Sequence, residues 1–391
     1  MIANLDLAQQ FMRANRIDGW LLYDFRGNNQ VFKRFFAARH TTRRAILWIP
    51  ADGQPRLLAH AIDFSQFDDA GVERDRYLRW QELPAWLARL AASGGRFAME
   101  YSAGNALPVV SIADAGFVEL VRSCGVEVVS SANLIQVCIA AWSAAAVANH
   151  ESASRLVEEI KNAAFALVHE RTKRGGTVGE FEVQQFIMSR FAEQGLETPD
   201  PPICSVNANS GDPHYAPDAQ HSATIRRGDW VLIDLWARVP GDDNIYSDIT
   251  WVGFVGDSPS DEHRRVFDVV TEARDAALKL ATERWSRKQA VRGWELDDAA
   301  RNLIVARGYE HGIKHRTGHS LSPGPLVHGV GMNLDNLETH DTRDMLPGIG
   351  FTIEPGVYLP NFGVRSEINV YVDPVKGPSA TSAIQREIIL A

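Results

Sequence analysis

The sequence predicts an α+β fold in two domains, a small α/β domain over residues 1–140 and a larger domain over residues 150–391. The chain has 391 residues, which is too long for one ordinary hydrophobic core. In the second domain, predicted helices, a strand hairpin, further helices and further strands follow one another in groups. This order favours an antiparallel sheet over alternating βαβ units.

The first domain is predicted to contain two helices and several short strands. The helices cover Leu7 to Asn15 and Trp86 to Ala92, where apolar residues recur at helical spacing. The strands are short apolar runs, and they cover Gly19 to Asp24, Ala45 to Pro50, Arg56 to His60, Phe97 to Glu100 and Val126 to Ser131. These segments show no catalytic spacing, so the function is expected in the second domain.

The second domain is predicted to open with two helices. Leu156, Ile160 and Leu167 belong to an apolar stripe that ends at a glycine pair. Thr177 with Glu180 three residues later is typical of a capping box at the start of the second helix. A strand hairpin and two more helices follow, and they cover Trp230 to Val239, Ile245 to Val255, Asp261 to Thr282 and Leu296 to Arg307.

Composition narrows the class of protein. The formal net charge is -9, and a nucleic-acid partner would leave a basic patch that this sequence lacks. The three cysteines show no paired spacing, which argues against a disulfide framework and favours a reducing compartment. No signal peptide is indicated and no run approaches the roughly 18 apolar residues of a membrane span. A cytoplasmic protein without a membrane partner is expected.

Two aspartates on the predicted hairpin are candidate metal ligands. Asp234 lies in the apolar run Val231 to Leu235, and burying a carboxylate there is costly without a cation or hydrogen-bond donors. Asp248 lies on the paired strand, so the hairpin can bring the two carboxylates side by side. Taken alone, each could equally be a strand-end aspartate that bonds to the backbone.

Two glutamates on later strands extend this set. Glu354 immediately precedes Pro355-Gly356, which ends its strand. Period-two alternation places Arg365 and Glu367 on the same strand face. An exposed, salt-bridged strand face is the alternative interpretation of this second segment.

His319 is the candidate nitrogen ligand. A lone histidine in a loop is more often solvated or satisfied in a core than bound to a metal. The spacing of His315 and His319 resembles the zinc signature H-E-x-x-H. Arg316 replaces its glutamate and Gly318 weakens a helix, so that interpretation is rejected.

Taken together, four carboxylates and one imidazole form an oxygen-rich ligand set without thiolates. This set favours Mn²⁺, Co²⁺ or Zn²⁺ over a structural zinc site. Two such ions, about 3.5–4 Å apart, would hold a hydroxide between them and polarise a carbonyl group. The predicted chemistry is therefore hydrolysis by a metal-bound water.

These motifs resemble those of the pita-bread metallopeptidases. The family includes prolidase (Xaa-Pro dipeptidase), Xaa-Pro aminopeptidase and methionine aminopeptidase, with creatinase as a metal-free relative. The resemblance implies a creatinase-like N-terminal domain over residues 1–140 and a pita-bread catalytic domain over residues 150–391. It rests on Leu232-Ile233-Asp234, Ser247-Asp248-Ile249-Thr250, Thr317-Gly318-His319, the run Thr352 to Tyr358 and the run Gly363 to Glu367.

The resemblance also implies a role for each site residue. The ligands of two divalent ions, with Mn²⁺ preferred over Co²⁺ or Zn²⁺, would be Asp234, Asp248, His319, Glu354 and Glu367. Among these, Asp248 and Glu367 would bridge the ions and Glu354 would take a proton from the bridging water. His214 and His328 would bind the scissile amide and stabilise the tetrahedral intermediate. Arg365 and Tyr358 occupy positions of supporting or substrate-binding groups, and a homodimer is expected.

The sequence departs from the family pattern in two loops. Asp234 and Asp248 are 14 positions apart, and residues 241–244 look like an insertion between them. His319 and His328 are nine positions apart, and residues 322–325 look inserted there. Gly329 stands where the family usually has a glutamate. These departures bear on the shape of the pocket and on the role of His328.

The function that the resemblance implies is hydrolysis of Xaa-Pro bonds by attack of a metal-bridging hydroxide. The short chain favours a dipeptidase (prolidase) that acts on small Xaa-Pro peptides. One alternative is an Xaa-Pro aminopeptidase that acts on longer peptides. Another, from a different class, is a catalytically silent pita-bread protein that serves as a binding module.

Overall fold

The computed structural model describes residues 4–36 and 40–391. Residues 1–3 and 37–39 of the predicted first domain lie outside the described residues. The chain divides into two units, Met1–Ile139 and Ala140–Ala391.

The first unit is built on a mixed sheet. Its strands are β1 (Gly19–Phe25), β2 (Arg44–Pro50), β3 (Arg56–His60), β4 (Glu73–Tyr77), β5 (Arg96–Met99) and β6 (Glu127–Ser130). Their order in the sheet is β4-β3-β2-β1-β5-β6. Its helices are α1 (Leu5–Ala14), α2 (Gln30–Phe35), α3 (Glu82–Leu90), α4 (Ala115–Ser123) and α5 (Ala132–Ile135). Strands β2 and β3 are antiparallel neighbours and correspond to the predicted strands Ala45 to Pro50 and Arg56 to His60.

The second unit carries two pairs of helices and the strands of the candidate site. The helices are α6 (Ala144–Thr172), α7 (Glu180–Glu193), α8 (Asp261–Ser286) and α9 (Gly293–Ala306). The strands before α8 are β7 (Val178–Gly179), β8 (Ile203–Val206), β9 (Thr224–Ile225), β10 (Trp230–Ala237) and β11 (Ser247–Phe254). Those after α9 are β12 (Ser320–Leu321), β13 (Gly350–Ile353), β14 (Gly356–Tyr358), β15 (Gly363–Arg365), β16 (Ile368–Asp373), β17 (Gly377–Ala380) and β18 (Ile389–Leu390).

Two sheets of this unit meet at the candidate site. One has the order β18-β11-β10-β8 and the other β12-β13-β16-β17. They are joined where the backbone N–H of Glu367 donates to the carbonyl of Thr250 (3.2 Å) and that of Asp248 donates to the side chain of Asn369 (3.2 Å). These bonds hold the end of β16 against β11.

Apolar clusters support each sheet from one side. Ile233, Leu235 and Ile249 on one face of β10 and β11 pack with residues of α6 and α7. Phe351 and Val370 on β13 and β16 pack with residues of α8 and α9. Burial of this apolar surface is the main driving force for the fold, and it leaves the polar faces of the two sheets turned toward each other.

The α+β prediction is confirmed, and the predicted hairpin is present as β10 and β11. The capping-box prediction is wrong. Helix α7 begins at Glu180 with Gly179 at its N-cap, so Thr177 lies outside the helix. The buried face of α6 is also shifted, since Val157 and Ala164 are buried while Leu156 is only partly buried.

Among the described residues, no single helix is long and apolar enough to cross a membrane. One pair of helices, Ala132–Ala140 and Ala144–Gly175, meets the criterion of length and composition when taken together, with a 76° bend at the break between them.

The approach of Gly318 to Thr352 yields a stability prediction. A Cβ at Gly318 would lie 2.1 Å from the carbonyl oxygen of Thr352, so Gly318→Ala must push the two segments apart. We expect a loss of about 1–3 kcal/mol in the free energy of unfolding, the usual cost of overpacking. Urea unfolding followed by circular dichroism measures this loss.

Gly116→Ala is the matched control for that measurement. Gly116 lies exposed on α4, and the nearest atom to its added Cβ is 3.5 Å away. Alanine is the better helix former, so this variant should be neutral or slightly more stable. Equal stability of Gly318→Ala and the unmodified protein would contradict the close approach.

Candidate active site

The first two carboxylates lie on the hairpin of β10 and β11. In its antiparallel ladder Asp234 is opposite Thr250, and Asp248 is opposite Trp236. Residues opposite each other, or two apart on one strand, project from the same face of a sheet. Both aspartates therefore lie on one face, and their exposed fractions are only 7% and 5%.

The other two carboxylates lie where β13 and β16 end. These strands pair with Ile353 opposite Ile368. Glu354 directly follows the first and Glu367 directly precedes the second, so both glutamates leave the ladder at the same end. Pro355 cannot continue β13 because it has no N–H group. The alternative of an exposed strand face does not hold, because Glu367 is 2% exposed.

His319 points its free nitrogen at two of these carboxylates. Its backbone N–H donates to Oγ1 of Thr352 (3.0 Å), which fixes the residue on β13. Nδ1 lies 3.2 Å from the carbonyl oxygen of Ser320, and because a carbonyl only accepts, Nδ1 carries the proton. Burial lowers the pKa of His319, so Nε2 has a free lone pair. It lies 3.3 Å from Oδ2 of Asp248 and 3.4 Å from Oε1 of Glu354.

Within the described part of the chain, one oxygen of this group of carboxylates is buried without a hydrogen-bond donor, and one hydroxyl group is shared between two carboxylates. Ligand atoms of Asp248, His319 and Glu367 lie within 4.8 Å of one another. Among the described residues, Oε1 of Glu367 is buried without a hydrogen-bond partner. Oγ1 of Thr250 lies 3.0 Å from Asp234 and 2.8 Å from Glu367, but its one proton can serve only one of them at a time.

Repulsion between the buried carboxylates would be relieved by a bound cation. Burial and the carboxylate of Asp234 raise the pKa of Asp248 well above its usual range. Burial and the carboxylate of Asp248 do the same for the pKa of Glu367. A divalent ion among these atoms would remove this repulsion and satisfy both the free oxygen of Glu367 and the lone pair of His319. The residues present therefore fit a metal site with oxygen ligands and one histidine.

Arg365 supports the site from within. Its guanidinium forms an ion pair with Asp234, and its Nε donates to Oγ1 of Thr250 (2.9 Å). Nη1 donates to the hydroxyl of Tyr358 (2.9 Å). Each nitrogen of this buried side chain thus contacts a neighbouring polar group, which fixes the position of Asp234.

Tyr358 also forms a hydrogen bond with His315, so it connects this histidine to Arg365. The hydroxyl of Tyr358 lies 2.7 Å from Nε2 of His315, and Nδ1 of the histidine lies 2.7 Å from the carbonyl of Arg316. The carbonyl can only accept, so Nδ1 donates and Nε2 accepts from the tyrosine. Burial lowers the pKa of His315 to about 3 and raises that of Tyr358 to about 12. Both groups are therefore neutral at physiological pH.

His328 and His214 lie beside this group. The ring of His328 is 4.0 Å from that of His319 between centroids, and its Nδ1 is 3.4 Å from Arg316. Charge on His319, followed by burial, lowers the pKa of His328 to about 2. His214 is exposed but close enough that its charge also lowers the pKa of His328. The structure thus brings all the predicted site residues into one region of the second unit.

Glu180 holds the loop that carries His214. Its carboxylate is fully buried, and the next residue after His214, Tyr215, donates to it through its hydroxyl (2.5 Å). It also accepts hydrogen bonds from the backbone N–H of Val206 (2.7 Å), the backbone N–H of Ala223 (2.7 Å) and the side-chain amide of Asn209 (3.0 Å). This network explains why Glu180 does not form the predicted capping box.

Sequence reasoning missed the parts played by Thr250, His315 and Glu180. Thr250 could have been found, because alternation places it on the same strand face as Asp248. His315 was considered only as part of a zinc signature. Its contact with Tyr358 and the contacts of Glu180 join residues far apart in the chain, and no local pattern indicates them.

Comparisons with known proteins agree with this geometry. The sequence matches the model of metallopeptidase family M24 over residues 148–374. It is 32% identical over 169 residues to the Xaa-Pro dipeptidase of Pyrococcus horikoshii, covering 42% of each chain. It is 30% identical over 190 residues to the Xaa-Pro dipeptidase of Lactobacillus helveticus, covering 48% of this chain and 45% of the relative. The chain thus spans less than half the length of these relatives.

A solved structure shows the same fold across the chain. The dipeptidase PepE of Mycobacterium ulcerans superposes with a TM-score of 0.69 at 20% identity, covering 99% of this chain and 96% of the other. The matched segment of the family model contains the five ligand-type residues, helices α7 to α9, and α6 from residue 148 onward. The chain therefore belongs to metallopeptidase family M24.

Proposed function

We propose that the protein is a metal-dependent peptidase that hydrolyses Xaa-Pro dipeptides. The observation that carries this proposal is the cluster of Asp248, His319 and Glu367, whose ligand atoms lie within 4.8 Å of one another and whose Glu367 has a buried oxygen without a partner among the described residues. Glu354 lies beside His319, and Asp234 shares the hydroxyl of Thr250 with Glu367. Divalent ions held by this set would polarise the scissile carbonyl and lower the pKa of the attacking water. The names of the relatives, Xaa-Pro dipeptidases, direct the proposal to this substrate class.

Glu354 is the residue that we assign to proton transfer. Burial is the main cause that raises its pKa above the usual glutamate value, which makes its carboxylate a stronger base than an exposed one. Its Oε2 lies 3.9 Å from Nε of Arg365, so the carboxylate keeps a charged neighbour. After taking a proton from water, Glu354 can deliver it to the proline nitrogen as the leaving group.

Two histidines provide hydrogen-bond donors for the substrate. His328 is neutral, since its pKa is lowered to about 2, and its Nδ1 faces Arg316, so its single N–H is on Nε2. His315 is neutral too, with a pKa lowered to about 3, but its N–H donates to the carbonyl of Arg316, so it holds Tyr358 in place rather than binding substrate. His214, on the exposed loop fixed by Tyr215, can approach the scissile amide from the solvent side. Donors aimed at the developing negative charge lower the barrier without adding a net charge to the site.

Other properties implied by the resemblance stay predictions. These are two ions per chain, manganese as the preferred ion, a homodimeric assembly and a cytoplasmic location. Elemental analysis after loading with Mn²⁺, Co²⁺ or Zn²⁺ tests the first two, and sedimentation analysis tests the third.

Peptide length tests the proposed substrate class. With Mn²⁺ present, we expect kcat/KM for Ala-Pro to exceed that for Ala-Pro-Ala by at least about tenfold, a ratio within the range of binding-based discrimination. Equal or faster cleavage of the tripeptide would instead identify an Xaa-Pro aminopeptidase. Metal binding without cleavage of either peptide would indicate a binding module.

Glu367→Gln tests the metal centre. The change removes one negative charge from the set, and we expect Mn²⁺ affinity to fall by at least about tenfold, since even groups that only support ligands contribute that much. Calorimetric titration measures the affinity and Ala-Pro hydrolysis measures the turnover. Glu100→Gln is the control, because Glu100 is also a fully buried carboxylate but lies in the first unit. An unchanged Mn²⁺ affinity in Glu367→Gln removes this residue from the ligand set.

His214→Ala tests the assignment of the exposed histidine. We expect Mn²⁺ content to stay unchanged and kcat for Ala-Pro to fall by about 10²–10³, the typical loss for one donor to developing charge. His221→Ala is a matched control on the same segment, because His221 is exposed and paired with Asp218 (3.0 Å). Loss of metal in His214→Ala would place this residue among the ligands instead.

A further inference from the structure

Trp236 projects from the same strand face as the metal-ligand candidates. It is two residues beyond Asp234 on β10 and directly opposite Asp248 on β11. Its side chain is partly exposed. Among the described residues, it belongs to neither of the apolar clusters that pack on the two sheets of the second unit. Trp251, on the opposite face of β11, packs in the cluster with α6 and α7.

The exposed part of Trp236 is apolar. Nε1 of its indole is buried without a hydrogen-bond partner among the described residues, so the surface that remains accessible consists of ring carbon atoms. Among the described residues, the ring lies outside the two apolar clusters that support these sheets, and it shares a strand face with Asp234 and Asp248. It offers a flat, water-excluding contact to a molecule bound at the site.

The next residue on this face anchors the two inserted loops. Nη1 of Arg238 donates to the carbonyl of Gly324 (2.6 Å) and to that of Asn244 (3.2 Å). The backbone N–H of Gly324 donates to the carbonyl of Asp242 (2.8 Å). The loops over residues 241–244 and 322–325, which both depart from the family pattern, thus contact each other and share one buried arginine.

These residues form a series along β10 and the residue that directly follows it. Asp234, Trp236 and Arg238 follow at intervals of two, which corresponds to about 7 Å per step. Trp236 therefore lies between the carboxylates on one side and the paired loops on the other. A substrate that extends from the carboxylates toward the loops must pass over the indole ring.

We propose that Trp236, backed by the paired loops, forms the wall of the subsite for the residue before the scissile bond and limits that residue to small side chains such as glycine, alanine or serine. Ions held by the carboxylates would polarise the scissile carbonyl, so the residue that carries this carbonyl lies beside the ligands. Trp236 projects from the same strand face directly opposite Asp248, and it therefore borders the space for the side chain of that residue. This inference rests on the proposed peptidase function and adds the class of its substrates.

Substitution of Trp236 tests whether its ring limits the size of the residue before the scissile bond. For the Mn²⁺-loaded protein we expect Ala-Pro to be cleaved with a higher kcat/KM than Phe-Pro. In Trp236→Ala the ratio of Phe-Pro to Ala-Pro should rise by at least about tenfold, as expected for space gained in an apolar pocket. Trp236→Phe, which keeps a smaller ring, should give an intermediate ratio and decides the question if the alanine variant does not fold.

Trp251→Phe is the matched control. Trp251 is on the same hairpin but faces away from the site, where Nζ of Lys161 lies 3.2 Å from its ring centroid. Its loss should leave the ratio within about twofold of the original, because it touches no part of the subsite. An unchanged ratio in both Trp236 variants, or a preference of the unmodified protein for Phe-Pro, overturns the proposal.

A binding measurement separates this proposal from the peptidase function. Reduced analogues of Ala-Pro and Phe-Pro, in which CH₂ replaces the scissile carbonyl, are titrated by calorimetry into the Mn²⁺-loaded protein. Trp236→Ala should improve the relative Kd of the phenylalanine analogue even if no peptide is cleaved. Failure to cleave any Xaa-Pro peptide would refute the proposed function alone, whereas an unchanged ratio of the two Kd values would refute the wall alone.

Discussion

The second unit depends on holding four carboxylates together in a place where they repel each other. Burial raises the pKa of Asp248, Glu354 and Glu367, so their charged forms are costly without compensation. The ion pair of Arg365 with Asp234 compensates only part of this cost. Buried carboxylates with raised pKa values reduce the stability of the fold. When they also converge on one another as these do, they are typical of a functional site.

The fold meets this cost by fixing each carboxylate on an element that is stabilised elsewhere. Apolar residues on the far faces of β10, β11, β13 and β16 pack against helix pairs. The strands therefore stay in place although their near faces carry repelling groups. Thr250 donates a hydrogen bond to Glu367, whereas Thr352 and Asn369 accept hydrogen bonds from the backbone N–H groups of His319 and Asp248. These bonds set the orientation of the ligand-bearing segments, as groups behind metal ligands commonly do.

Local patterns predicted the parts of the site that a single strand or hairpin determines. The hairpin placed Asp234 near Asp248. Alternation predicted that one strand carries Arg365 and Glu367 on the same face, but Arg365 is the last residue of β15 and Glu367 precedes β16, so no single strand carries both. The capping box failed because Thr177–Glu180 fits the pattern locally, whereas Glu180 gains more hydrogen bonds from a strand, a loop and Tyr215. The contact between His315 and Tyr358 joins segments 43 positions apart, so it depends on the complete tertiary structure.

The departures of this chain from its family pattern are related in space although they are separate in sequence. The loop at residues 241–244 and the loop at residues 322–325 share hydrogen bonds with Arg238, which is two positions from Trp236. An arginine buried to 4% exposure is costly unless its donors are satisfied. Glu197 accepts from Nε of Arg238 (2.7 Å), and the carbonyl groups of the two loops accept from Nη1. Removing either loop would therefore take away one acceptor of the buried Arg238 side chain, so the two loops depend on each other. This coupling makes them one structural element beside the site, anchored at Arg238, two positions along the chain from Trp236.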